Sequence, residues 1–154
     1  MLVGEAAPGA HDTAPEPRAY ASDLGFEVGV SGSVVQAGIE FMLPIGRWKG
    51  YGGDTDYMGT TLETITWATG LLASTERLIV FGTVHAPLFH PIIAAKQFVT
   101  ADRVGEGRFG LNIVVGWNED EFQMFGVTQR DHEARYDYAQ DWIEAVKMAW
   151  SPRE

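Results

Sequence analysis

Short apolar runs and longer amphipathic stretches alternate along the chain from residue 33 onward. Ile39-Glu40-Phe41-Met42-Leu43 is an apolar run closed by Pro44, which cannot donate to a sheet ladder. Thr60-Thr61-Leu62-Glu63 has capping-box spacing, and apolar residues follow at Leu62, Ile65, Ala68 or Thr69, and Leu72. That pattern predicts a helix over 60–74. Leu78-Ile79-Val80-Phe81 is β-branched and aromatic, predicting a strand that runs to Val84. Pro91 suits a first helical turn, Ile92, Ala95, Phe98 or Val99, and Ala101 supply the stripe, and Gly105 the stop. Phe109 to Val115 predicts a third buried strand. Asp131 predicts the cap of a long helix with its stripe at Tyr138, Trp142, Val146 and Ala149/Trp150, ended by Pro152.

Strand-helix order with nearly continuous apolar strands predicts an α/β fold with a parallel sheet under helical cover. Residues 1–32 break the pattern. Fourteen of them are Ala, Gly or Pro, and their charges are five acids against Arg18 alone. Such a stretch buries too little apolar surface to offset its ordering entropy. It reads as an irregular acidic tail whose one strand-like alternation is Phe26-Glu27-Val28-Gly29-Val30, with the folded domain at 33–154.

Composition then removes whole classes of function. The 154 residues carry a net charge of −10, from 11 Lys+Arg against 21 Asp+Glu. Nucleic-acid affinity rests on clustered Lys and Arg, so no nucleic-acid partner is expected. The absence of cysteine excludes thiolate nucleophiles, disulfides and Cys-ligated metals. No apolar run approaches the roughly 18 residues of a membrane span, and no basic-then-apolar leader opens the chain. A soluble, cytoplasmic protein without membrane partners is the expectation.

Several segments carry candidate chemistry. Gly105-Glu106-Gly107-Arg108-Phe109-Gly110 matches G-x-G-x-x-G, yet it follows a helix and opens a strand, the reverse of the dinucleotide arrangement. It predicts a helix stop and tight turn. Gly46-Arg47-Trp48-Lys49-Gly50-Tyr51-Gly52-Gly53 lies past a strand's C-terminal end, where parallel α/β folds bind ligands. Composition leaves open whether it is a ligand loop or merely a flexible basic one. Asn112 is a polar residue inside an apolar strand, and an unsatisfied buried amide would cost about 1–3 kcal/mol, so it needs a partner. The acids Glu119, Asp120 and Glu121 predict the start of a short solvated helix. His85 and His90 have no zinc-helix spacing and predict a cap or polar lining, so no metal site is expected. Arg135-Tyr136 open the last helix, where anions are favoured; the competing reading is a surface Arg135 paired with Glu133 or Asp131.

Taken together, Gly46 to Gly53, Thr83-Val84-His85-Ala86-Pro87, Gly107-Arg108-Phe109-Gly110-Leu111-Asn112-Ile113-Val114-Val115-Gly116-Trp117-Asn118 and Arg135-Tyr136-Asp137-Tyr138 resemble the luciferase-like flavin-dependent monooxygenases. The pyrimidine and alkanesulfonate monooxygenase branch is the nearest in pattern, over residues 33–151. The resemblance implies a (β/α)8 TIM barrel that binds FMN at its strand C-termini. Its flavin contacts would be Gly46, Arg47, Asn112, Glu121, Arg135 and Tyr136, with Thr83 to His85 lining the flavin face. It also implies FMN reduced by a separate flavin reductase, and O2, acting on a small organic substrate. A whole barrel needs about 200–250 residues, and this chain supplies three to four βα units. The expectation is thus the N-terminal half of such a barrel, a truncated chain. Two alternatives accompany it: a non-catalytic flavin-binding half-barrel that forms a homo-oligomer, and a deazaflavin-dependent oxidoreductase of the same superfamily.

Overall fold

A computed structural model of the chain describes residues 36–151. The predicted tail, the Phe26–Val30 strand and the stop at Pro152 lie outside the described residues. Strands and helices alternate as β1 (Phe41–Met42), α1 (Thr64–Ser74), β2 (Ile79–His85), α2 (Pro91–Val104), β3 (Phe109–Val114), the short α3 (Glu119–Met124) and α4 (His132–Trp150). A 3-10 turn, Ala86–Leu88, joins β2 to α2. The three strands form one parallel sheet in the order β1-β2-β3. Parallel neighbours cannot be joined by a tight hairpin, and α1 and α2 are the crossovers between them.

Local chemistry sets most boundaries where the pattern placed them. His90 caps α2, its Nδ1 accepting the Ile92 N–H at 3.3 Å, with Pro91 as the first helical residue. The Gly105 N–H donates to Ala101 O at 2.9 Å, and Gly107 takes a φ of 83°, a left-handed backbone that glycine adopts without steric cost. The G-x-G-x-x-G segment is therefore a helix stop and turn. Arg108 secures that turn, donating to Leu72 O at 2.9 Å, Leu78 O at 3.0 Å and Thr75 Oγ1 at 3.3 Å. Asp131 caps α4 by accepting the Ala134 N–H at 2.9 Å.

Two boundaries differ from the pattern. The helix expected from residue 60 begins at Thr64, because Glu63 is itself the cap, accepting from Ile65 N at 2.9 Å and Thr66 N at 2.7 Å. The Thr61 hydroxyl is spent elsewhere, donating to Arg47 O at 3.2 Å. The Ile39–Leu43 run pairs as strand only at Phe41 and Met42. Past them the ladder gives way to a side-chain bond, Thr83 Oγ1 donating to Pro44 O at 2.5 Å.

Helices cover one face of the sheet. Val80 and Val84 of β2, with Phe109, Leu111 and Ile113 of β3, pack against α1, α2 and α4. Alanines at 94, 95 and 101 let α2 approach closely, and Phe98 and Trp142 fill the space between α2 and α4. The Trp142 indole N–H donates to Phe89 O at 2.7 Å, so the buried ring leaves no donor unsatisfied. On the opposite face Phe41 meets Phe81 edge to face at 5.8 Å. Because strand side chains alternate, that face also carries Thr83, His85, Asn112 and Val114. Among the described residues no helix is long and apolar enough to cross a membrane.

Candidate flavin site

Register brings the candidate residues together. Thr83 stands opposite Asn112 and His85 opposite Val114, so four side chains share one patch at the C-terminal end of β2 and β3. The segment leaving β1 folds over that patch. The result is a cleft of about 150 Å³ lined by Leu43 to Arg47, Thr83, His85, Asn112, Val114, Gly116 and Trp117. Trp117 also borders an adjoining open cleft of about 640 Å³, which Lys49 to Gly52, Asp56, Asn118 and Asp120 complete.

Gly46 is buried at the cleft floor. A Cβ there would lie 3.1 Å from Thr83 Cγ2 and 3.2 Å from His85 Cε1, so a side chain would press into both. Asn112 finds its partner across the register: its Nδ2 donates to Thr83 Oγ1 at 3.1 Å, and that hydroxyl donates onward to Pro44 O. The amide is thereby oriented by protein. Thr83 is fixed in turn by Thr64 of α1, whose hydroxyl donates to Thr83 O at 2.6 Å and accepts the Thr83 N–H at 3.1 Å.

Arg47 is the central cation. Its side chain is 7% exposed and lies 3.4 Å from Glu121 Oε1. Nη2 donates to the Tyr51 hydroxyl at 2.8 Å, and the guanidinium stacks 4.6 Å from the Trp117 ring centre. Its Nε is buried without a hydrogen-bond partner. Glu121 is 1% exposed and sits behind Arg47, also accepting the Trp48 N–H at 3.0 Å. The acidic segment does open a short helix, α3, but its third acid is buried and pairs with the cleft, contrary to the expectation of a solvated one. At the rim, Lys49 and Asp120 pair at 2.7 Å and tie the glycine-rich loop to α3.

Arg135 lines neither cleft but bonds the backbone of one lining residue, Gly116. Its Nη1 donates to Gly116 O, and its Nε is buried and unpartnered. The alternative of a surface pair with Glu133 or Asp131 is not what forms: the guanidinium bonds the Gly116 carbonyl instead, and Asp131 accepts the Ala134 N–H as the α4 cap. Tyr136 is not brought to either cleft; it is exposed on the first turn of α4 beside His132. His85 is 5% exposed, and burial, the largest influence, holds its pKa below the ordinary 6.5; nearby Glu121 raises it and Arg47 lowers it. Among the described residues no group of three or more His, Cys, Asp or Glu could hold a metal ion.

The sequence did not reveal the Arg47–Glu121 contact, which spans 74 positions, or the Pro44 carbonyl as the anchor for Thr83. No local signal announces such a long-range pair. Glu121 is the last of three consecutive acids, in a helix too short to show a periodic face, and only its place next to Phe122 hinted at burial.

The family profile for luciferase-like monooxygenases matches residues 11–154, and the chain belongs to that family. It is 33% identical over 116 residues to the pyrimidine monooxygenase RutA of Allorhizobium ampelinum, covering 74% of this chain and 32% of that protein. The RutA of Methylobacterium radiotolerans is 36% identical over 115 residues, covering 73% and 30%. The chain thus spans about a third of the length of these curated relatives. Among solved structures, EDTA monooxygenase EmoA from Chelativorans sp. BNC1 superposes with a TM-score of 0.80 at 18% identity, covering 88% of this chain and 32% of that one. The oxygenating constituent of 3,6-diketocamphane monooxygenase from Pseudomonas putida, in complex with FMN, gives 0.70 at 13% identity, covering 91% and 36%. The three βα units are accordingly part of a TIM-barrel fold.

Proposed function

We propose that this chain forms the FMN-binding part of a flavin-dependent monooxygenase, which uses FMN reduced by a separate flavin reductase, and O2, to oxygenate a small organic substrate. One observation carries the reading: the buried guanidinium Nε of Arg47 lacks a partner at a cleft whose floor is crowded for a Cβ at Gly46, and the buried Nε of Arg135, which bonds the cleft-lining Gly116, lacks one too. Unpartnered buried donors call for an acceptor, and FMN offers ring carbonyls and a phosphate. The residues present therefore fit the group. Similarity to pyrimidine monooxygenases and a fold shared with an FMN complex support it.

Reduced FMN supplies the electrons that O2 activation needs; the protein binds, orients and excludes water. Asn112, held by Thr83, presents a carboxamide to the ring edge. Gly46 lets the ring approach backbone. Arg47, fixed by Glu121 and Trp117, meets ring carbonyls, and Glu121 acts through it. Arg135 and the start of α4, next to Tyr136, receive the phosphate. The Trp48–Phe125 pair, 5.0 Å apart and edge to face, ties the segment after β1 to the end of α3.

The test is a fluorescence titration with FMN and riboflavin. Arg135→Ala should weaken FMN by tenfold or more and riboflavin by little, since only FMN carries the phosphate. Equal weakening of both ligands would remove Arg135 from the phosphate site.

A second reading, a homo-oligomer, is favoured by the β1 segment. Ile39, Phe41, Leu43 and Ile45 are each about half exposed on the sheet edge, an apolar strip that association would cover.

A further inference from the structure

His85 lines the cleft without a hydrogen-bonding role toward the flavin in the reading above. It ends β2 inside the cleft, its ring wedged between two glycines. Cε1 is 3.2 Å from where a Gly46 Cβ would stand, and Cδ2 is 3.4 Å from that of Gly116. Its Nε2 faces Glu121 Oε2 at 3.8 Å, beyond hydrogen-bond reach. The other oxygen of the same carboxylate holds the Trp48 N–H at 3.0 Å and Arg47 at 3.4 Å. Glu121 is thus shared between a grip on the 46–48 segment and a histidine that stops just short of it.

We propose that His85 is a proton-operated positioning residue of the flavin cleft: neutral, it leaves Glu121 holding Arg47 and the Trp48 amide, and protonated, it draws Glu121 away and loosens the cofactor's cradle. The proposal rests on the flavin reading for its consequence, not for its geometry. An imidazolium would close the 3.8 Å gap, because a charge-assisted bond to carboxylate prefers about 2.8 Å. The same proton would set a second cation beside Arg47. Glu121 from α3 and Arg47 from the loop after β1 are the charged groups that act on His85. Burial keeps the ring neutral near pH 7, so the grip is closed there and opens on acidification. Linkage is reciprocal: if acid weakens FMN binding, FMN must lower the His85 pKa.

The test follows the imidazole and the Trp48 amide of the whole chain by NMR between pH 8 and 5, without and with FMN. The Trp48 amide should shift with the same midpoint as His85, and below the midpoint FMN affinity should fall by up to about tenfold per pH unit, the limit for one proton. In His85→Gln both pH dependences should disappear. Glu121→Gln should lower the His85 midpoint, and wild type alone suffices if either variant misfolds. A Trp48 amide that stays still while His85 titrates would overturn the proposal. An amide that follows His85 in a chain that binds no FMN at any pH would support the latch and defeat the flavin reading. FMN binding indifferent to pH, with a static amide, would do the opposite.

Discussion

Arg47 shows how much of this site depends on single side chains. Three groups hold it, Glu121, the Tyr51 hydroxyl and the Trp117 ring, and one of its nitrogens stays unspent. Leaving a buried donor unmet costs about 1–3 kcal/mol, so the arrangement stores affinity for an acceptor. His85 adds a pH dependence. Its pKa is held below 6.5 in the folded chain, so the unfolded chain takes up the proton first as pH falls. Stability should therefore decline as pH drops below about 6.5 and level off below the folded-state pKa. Urea denaturation at stepped pH checks this, and His85→Asn should remove that part of the decline. Asn112 was legible at this scale because a lone amide in an apolar strand demands a partner. Glu121 was picked out only by family resemblance, because nothing near it in sequence marks it as buried.

At the scale of elements, capping and turn chemistry did most of the predicting. Pro91, Gly105 and Asp131 act where their local preferences put them. The start of α1 was misplaced for an instructive reason: two threonines and a glutamate offered competing caps, and the glycine-rich loop claimed Thr61. Tertiary structure decided what local spacing could not. Arg108 links three elements, joining the end of α1, the entry to β2 and the turn into β3. Arg108→Ala should cost about 1–3 kcal/mol by orphaning carbonyls at that junction. Thermal melts would register it, and a change within experimental error would mean water replaces all three bonds.

For the whole molecule, the parallel order and helical cover were legible in the alternation of apolar runs and amphipathic stretches, and the barrel through resemblance. What the sequence could not display was that register unites Thr83 with Asn112 and His85 with Val114, since side-by-side placement is a property of the sheet. One face of that sheet is buried under helices, and its β1 edge carries the Ile39–Ile45 strip. Sedimentation should find an oligomer, and Phe41→Lys with Ile45→Lys should shift it toward monomer. A monomer in wild type would dismiss the association.

Whether the cleft takes a flavin through Asn112 decides the function of this chain. The direct measurement titrates the chain and its Asn112→Leu variant with FMN, following flavin fluorescence, with thermal stability recorded for each with and without ligand. Saturable wild-type binding is expected, about tenfold or more weaker in the variant. The variant should lose only about 1 kcal/mol of stability, from the acceptor left unmet at Thr83 Oγ1. Absence of saturable binding, or equal stability loss with and without FMN, would contradict it and make Asn112 a structural amide.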